Sequence, residues 1–273
     1  KEDLIKYTAD SPWERFEDGR PKVPDQYIEA LKNSSSEMVY GPLRKAGFMN
    51  QWVDGWQLLQ PDKKLVGRVF TAQFMPVRPD VDDIIEKEAI GDGKKVRNNQ
   101  RVINLLQPGD VLVVDLFGKV NEGTFVGDNL ASAVFAASGN GFVIDGGVRD
   151  LDGILPQGMP GYVRGFHVSA LNDVMLTGVN VPIQIGNTTV MPGDIVLGDR
   201  EGLTFIPASI VADVARASKL TELHDLWTKQ MFATGKYKAS DLYPRPSDPK
   251  LIKQFEDWRD AELAKLGMEP PEK

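Results

Sequence analysis

The hydrophobic pattern is dominated by short apolar runs bounded by glycine and proline. Residues 65–75, Leu65-Val-Gly-Arg-Val-Phe-Thr-Ala-Gln-Phe-Met75, are rich in β-branched and aromatic side chains with partial alternation, and Pro76 and Pro79 close them, which predicts a strand. Residues 111–115 and 141–145 are continuous apolar runs, each ending in an aspartate, as expected of strands buried on both faces of a sheet. Between them, Gly118 to Gly127 reads as a glycine-punctuated connection and residues 129–137 as a helix of small residues. Gly146-Gly147 is expected to break the second run, and residues 162–164 to form a further strand followed by a less regular stretch to Val181. Residues 181–185, 188–190, 194–197 and 203–206 are four short strands separated by turn dipeptides, the pattern of a β-meander.

Helical periodicity fills the rest. Pro24-Asp25 opens a helix with Tyr27, Ile28 and Leu31 at helical spacing. A second short helix, about 37–46, contains Pro42; a third ends near Leu106. A long helix covers about 208–234, and Pro244, Pro246 and Pro249 separate it from a last one at 251–266. Residues 1–22 have little periodicity and read as an arm anchored by Trp13 and Phe16. The pattern predicts an α/β protein with an N-terminal arm (1–23), a core domain (24–235) and a C-terminal extension with a helix (236–273).

Composition narrows the chemistry. With 273 residues, 41% hydrophobic and 26% charged, the chain is long enough to bury a core. A net charge of -7 opposes general nucleic-acid binding, which relies on clustered Lys and Arg. No apolar run approaches the roughly 18 residues of a membrane helix. The absence of cysteine removes disulfides, thiolate nucleophiles and thiolate metal sites, leaving carboxylates and two histidines, so a hard cation such as Mg2+ or Mn2+ is the natural metal expectation. A cytoplasmic setting is expected, with periplasm or secretion left open because the chain starts at Lys1 rather than Met.

Two clusters stand out: Val126-Gly127-Asp128-Asn129-Leu130 and Gly146-Gly147-Val148-Arg149-Asp150. Asp128 at a helix start is either a cap for orphan N–H groups or part of a helix N-terminus that receives an anion. Arg149-Asp150 is either a turn salt bridge of little worth or, at the end of a buried strand, a metal-binding carboxylate beside a cation that pairs with a carboxylate or developing enolate. His167 and His224 are too isolated to read as ligands. Gly91-Asp-Gly-Lys-Lys95 lacks phosphate-loop spacing and reads as a solvated loop, and Trp52 and Trp56 as packing residues or pocket lining.

An aspartate, twenty residues (129–148) and then Arg-Asp is the hallmark of a known family, and Asp128 with Arg149-Asp150 reproduces it. In these residues the chain resembles the 4-hydroxy-4-methyl-2-oxoglutarate/4-carboxy-4-hydroxy-2-oxoadipate aldolases, class II pyruvate aldolases that share a family with regulator of ribonuclease activity A. The similarity extends through Leu65-Val-Gly-Arg-Val-Phe-Thr71, Pro108-Gly-Asp-Val-Leu-Val-Val-Asp115, Val143-Ile-Asp-Gly-Gly-Val-Arg-Asp150 and Pro192-Gly-Asp-Ile-Val-Leu-Gly-Asp-Arg-Glu-Gly202.

The resemblance implies an αββα-sandwich core, here with N- and C-terminal extensions, assembled as a homotrimer or homohexamer with sites between subunits. It implies a lyase that cleaves a 4-hydroxy-2-oxo acid to pyruvate through an enolate and also decarboxylates oxaloacetate. By position, Asp150 would be the Mg2+ or Mn2+ ligand and Arg149 the enolate stabiliser. Gly127 and the N–H groups of Asn129 and Leu130 would hold the substrate carboxylate, and Asp128 would orient a proton-relaying water. A further acid from a neighbouring subunit's C-terminal helix falls at Glu222 or Asp225. The alternative implied by the same family is a non-catalytic regulator that binds a protein such as a ribonuclease. Tyr40-Gly41-Pro42-Leu43 replaces a usual family element, and residues 48–62 and 80–99 are longer than usual.

Overall fold

The two apolar runs that end in Asp115 and Asp145 lie side by side at the centre of a large mixed sheet. The computed structural model describes residues 1–89 and 96–271, so the loop at 91–95 lies outside the described residues. By internal contacts the chain forms two units, Lys1–Ala215 and Arg216–Lys273. In the first, helices α1 (Glu2–Tyr7), α2 (Asp25–Leu31) and α3 (Ser36–Lys45) precede strands β1 (Trp52–Val53), β2 (Gln57–Leu58) and β3 (Leu65–Pro76). Next come α4 (Pro79–Ala89), α5 (Asn98–Ile103), β4 (Asp110–Val126), α6 (Asp128–Ser138), β5 (Phe142–Val148), α7 (Leu151–Ile154) and β6 (Gly161–Phe166). Strands β7 (Val174–Val179), β8 (Ile183–Ile185), β9 (Thr188–Val190), β10 (Ile195–Gly198) and β11 (Leu203–Ile206) lead to α8 (Val211–Ala233), which crosses into the second unit.

The large sheet has the order β1-β11-β10-β3-β4-β5-β6-β2, and β7 pairs with the C-terminal half of β3. Strands β3 to β6 are parallel, which requires crossovers, and α4–α5 and α6 supply the first two. Alternation along the strands separates the two faces. Phe70, Leu112, Val114, Phe142 and Ile144 face a helical layer containing Val102, Ala131, Val134 and Ile154. Val69, Val111, Val113 and Val143 instead pack with Ile183, Ile185 and Val190 of the β8–β9 hairpin. The architecture is the expected α/β class, a mixed sheet flanked by helices.

Four expectations need correction. Gly118 to Gly127 is not a connection: β4 continues through it as an irregular strand, its register against β5 jumping from Asp115↔Asp145 to Lys119↔Gly146, Thr124↔Gly147 and Val126↔Val148. Nor does Gly146-Gly147 break β5. A Cβ on Gly146 would lie 2.6 Å from Leu116 Cδ2 and one on Gly147 3.0 Å from the Val120 carbonyl oxygen, so these glycines let the bulged strand press against its neighbour. The predicted meander divides, because β8 and β9 form their own hairpin while β10 and β11 pair within the large sheet; β7 also gives a regular strand to the stretch read as less regular.

The N-terminal segment is anchored at more than its aromatics. The Trp13 indole N–H donates to the Ala208 carbonyl at 2.6 Å and its ring lies 5.2 Å from Tyr27. Arg20 has no solvent exposure. Its guanidinium reaches Asp110 at 2.7 and 3.3 Å and Asp18 at 2.7 Å, between the rings of Phe16 and Phe70. Burial raises the Asp110 carboxyl above its usual range despite the opposing pull of Arg20.

Asp194, in the turn before β10, is buried and accepts the Met191 N–H at 2.9 Å. Burial pushes its carboxyl up to about 7 from the ordinary 3.8, against hydrogen bonds from Met191 and Ala208. The folded value exceeds the unfolded one, so its stabilising contribution is fully present below pH 3.8 and is lost as pH rises through about 7. Asp194→Asn is expected to lower stability overall, since its NH2 must face one of those N–H donors, yet to flatten this slope. Urea midpoints measured across that pH window check it; parallel curves for the two proteins would refute the assignment.

In the second unit, the remainder of α8 is followed by α9 (Ala239–Leu242) and α10 (Pro249–Lys265). Phe255 packs 5.2 Å from Trp227 and 5.4 Å from His224, ring centre to ring centre. No helix among the described residues is long and apolar enough to cross a membrane.

Candidate functional site

The sheet brings the two sequence clusters to one rim. Strand β4 ends at Val126 and β5 at Val148, paired in parallel, so the residues that follow each strand emerge together. After β4 the chain turns at Gly127, the N-cap of α6, and Asp128 is the first helical residue. After β5, the Arg149 N–H donates to the Val126 carbonyl at 3.2 Å. Asp150 then takes a left-handed conformation (φ 59°, ψ 46°), rare for residues other than Gly, Asn and Asp, and its carbonyl accepts the N–H groups of Gly153 and Ile154.

Glycine makes the meeting close. A Cβ on Gly127 would collide with Asp150 Oδ2 and come within 3.3 Å of Arg149 Nε. One on Gly153 would fall 2.6 Å from Asp128 Oδ2. Two aspartates and an arginine, separated by twenty residues in sequence, thus share one small volume.

Arg149 Nε lies 3.4 Å from Asp150 Oδ2, and both side chains are half-exposed, at 40% and 49%. The contact is long for a charge-assisted hydrogen bond, leaving the carboxylate open to another partner. Asp128 Oδ1 accepts the Asn129 N–H at 2.8 Å, and Gln157 Nε2 donates to the Asp128 and Gly153 carbonyls at 3.1 and 2.9 Å. The Asn129 N–H is thus taken up by the Asp128 side chain, while the N–H of Leu130, also in the first turn of α6, has no backbone acceptor within the helix. Among the described residues there is no group of three or more His, Cys, Asp or Glu that could hold a metal ion.

Glu222 lies on α8 in the second unit, bonded to Lys219 at 3.0 Å, and Asp225 lies 3.5 Å from His224 Nδ1. Trp56 stacks under the Arg164 guanidinium at 3.7 Å, and Arg164 lines a cavity of about 550 Å3 together with Trp52, Tyr40, Arg44 and Asn187. Sequence reasoning missed Gly153, Gln157, Thr124 and Ser169 around the rim, and left His167 as an isolated histidine. A glycine after Asp152 was their one visible signal; Gln157 is placed by the turn after α7, and Thr124 and Ser169 meet only through the fold of the loop after β6.

The fold and rim together define a class: mixed α/β proteins that present a helix N-terminus and an Arg-Asp pair at one edge of a parallel sheet segment. Residues 26–205, more than half of the 273, match the family model described as RraA-like, aldolase/RraA, and the chain belongs to that family. It is 31% identical over 118 residues to a Halalkalibacterium halodurans protein named "Putative 4-hydroxy-4-methyl-2-oxoglutarate aldolase", a stretch covering 43% of this chain and 56% of that one. The chain thus spans about half the length of that curated relative. Among solved structures, it resembles an uncharacterized protein from Pseudomonas syringae pv. tomato (TM-score 0.68, 22% identity, 83% of this chain and 94% of that one). It also resembles Streptomyces coelicolor RraAS2, described as an unusual member of the RNase ES inhibitor RraA family (TM-score 0.64, 25% identity, 79% and 100% covered).

Proposed function

We propose that the chain is a divalent-metal-assisted carbon–carbon lyase that cleaves a 4-hydroxy-2-oxo acid to pyruvate and a second oxo acid, and that also decarboxylates oxaloacetate. The observation that carries this reading is the closure of Asp150 and Arg149 onto Gly127 at the N-terminus of α6. Both reactions leave the same electron pair on the same fragment. In the retro-aldol reaction the C4 hydroxyl loses its proton, the C3–C4 bond breaks and its electrons form the pyruvate enolate. In decarboxylation the C3–C4 electrons stay on C3 as carbon dioxide departs. Either enolate then takes a proton at C3.

Asp150 fits a hard cation: it is an oxygen donor on a left-handed turn, half-exposed and only loosely engaged by Arg149. Mg2+ or Mn2+ held there would act as a Lewis acid toward the 2-oxo group. Arg149 presents a fixed positive charge where the enolate oxygen becomes negative. The free N–H of Leu130 at the start of α6 receives the substrate carboxylate, for which Gly127 leaves room. Asp128 orients a water for proton transfer. Glu222 or Asp225 of a neighbouring protomer completes the relay in a homotrimer or homohexamer. The name of the Halalkalibacterium halodurans relative supports the lyase class.

The RraAS2 likeness favours a second reading, a regulator that acts by binding a ribonuclease-type protein. Pyruvate release from oxaloacetate and from 4-hydroxy-2-oxo diacids, with added Mg2+ or Mn2+ and after chelation, separates the two. The lyase turns over and depends on the metal; a regulator releases no pyruvate under any of these conditions.

A further inference from the structure

The segment between β6 and β7 has no apolar anchor at its tip, where Val168 is 89% exposed, yet it is stitched tightly to the irregular part of β4. The His167 N–H donates to the Val148 carbonyl at 3.1 Å and the Asn172 N–H to the Glu122 carbonyl at 2.9 Å, beside a bridge between Gly123 and Leu171. Ser169 uses all its polar groups. Its N–H donates to His167 Nδ1 at 3.2 Å. Its hydroxyl oxygen accepts the Glu122 N–H at 2.7 Å and lies 2.9 Å from His167 Nδ1. Its carbonyl accepts the Thr124 hydroxyl and Arg149 Nη1, the latter at 3.4 Å.

The hydrogen-bond network assigns the histidine tautomer. A ring nitrogen that accepts the Ser169 N–H carries no proton, so His167 is the Nε2–H imidazole and the Ser169 hydroxyl is free to donate to the same Nδ1. Arg149 is half-exposed, and its contacts with the Asp150 carboxylate and the Ser169 carbonyl are equally long, 3.4 Å each. Apart from Asp150, the Ser169 carbonyl is the acceptor the structure gives its guanidinium. Within the loop Leu171 packs against the core beside its bridge to Gly123, whereas residues 167–169 carry no such contact, so their polar bonds decide whether that carbonyl stays in place.

We propose that His167 and Ser169 are positioning residues for Arg149: they latch the loop after β6 onto β4 so that the Ser169 carbonyl holds the guanidinium at the rim. The inference rests on the lyase reading, and through it neither residue touches substrate. If the latch orients a group that acts on charge developing in the transition state, loosening it lowers kcat more than it raises KM.

The test compares wild type with His167→Ala, Ser169→Ala and His167→Asn, using oxaloacetate with Mg2+ as the probe. Asparagine places an acceptor oxygen where Nδ1 stood. Both alanine variants are expected to lose about 10- to 100-fold in kcat, as for a group misplaced by about an ångström, with KM changed less than about threefold, and His167→Asn to recover most of the loss. If wild type turns over while both alanine variants keep wild-type kcat, or if His167→Asn is as slow as His167→Ala, the latch is overturned and the lyase reading stands. If wild type releases no pyruvate, the lyase reading fails by itself. Solvent exchange of the Arg149 Nε–H, followed by 15N NMR and assigned by its loss in Arg149→Lys, then decides the latch. Faster exchange in His167→Ala but not in His167→Asn supports it, and equal exchange in all three proteins overturns it.

Discussion

Asp150→Asn is expected to reduce metal-dependent pyruvate release from oxaloacetate by about 10²- to 10³-fold, and Arg149→Ala by a similar factor, the range found when one preorganised charge-stabilising group is removed. Asparagine is the informative replacement at position 150. It tolerates the left-handed backbone (φ 59°) that alanine resists, and it keeps the side-chain shape against Gly127 while removing the charge. Asp150→Ala would add backbone strain and blur the cause of any loss. Both side chains are about half-exposed, so neither change opens a cavity, and thermal midpoints should stay near wild type. Steady-state kinetics beside thermal melts check the pair. Wild-type turnover in both variants would remove these residues from the reaction.

Arg20→Ala should produce the largest loss of stability, about 3–5 kcal/mol, because it strands the buried Asp110 carboxylate without its partner. Asp110 already has a raised pKa from burial, so without Arg20 it must take up a proton or the segment must open. The defect should therefore deepen as pH rises and the carboxyl is forced to ionise. Replacing both members with apolar residues of similar size, as in Arg20→Met with Asp110→Leu, should recover much of the loss. Urea denaturation of the single and double variants measures this. A single-variant loss below about 1 kcal/mol, the scale of an exposed pair, would show that the arginine is not an integral part of the core.

How much of this was legible in the sequence follows from what each feature depends on. The central strands were readable because Val111 to Val114 and Phe142 to Ile144 are apolar on both faces, as a parallel strand covered on two sides must be. The Asp128 and Arg149-Asp150 pair was readable because a fixed strand–helix–strand length sets its separation. The glycines were visible but their purpose was misjudged. Gly146 and Gly147 looked like strand breakers, whereas they are where an irregular β4 presses on β5, a contact between strands that no local pattern encodes. Arg20 lay in a stretch without periodicity, and a charged residue there reads as exposed until Asp110, 90 residues away, closes on it. The latch at His167 and Ser169 was invisible for the same reason, since its partners come from β4 and β5.

The central claim is that the start of α6, Arg149 and Asp150 form a single site for a 2-oxo acid and its enolate. Calorimetric titration with oxalate, a planar dianion that mimics the enolate in shape and charge, tests it most directly. In the presence of Mg2+ the account predicts one binding event per chain, abolished by chelation and in Asp150→Asn, and weakened in Arg149→Ala. Oxalate that fails to bind, or binds equally to all three proteins with and without the cation, would contradict it.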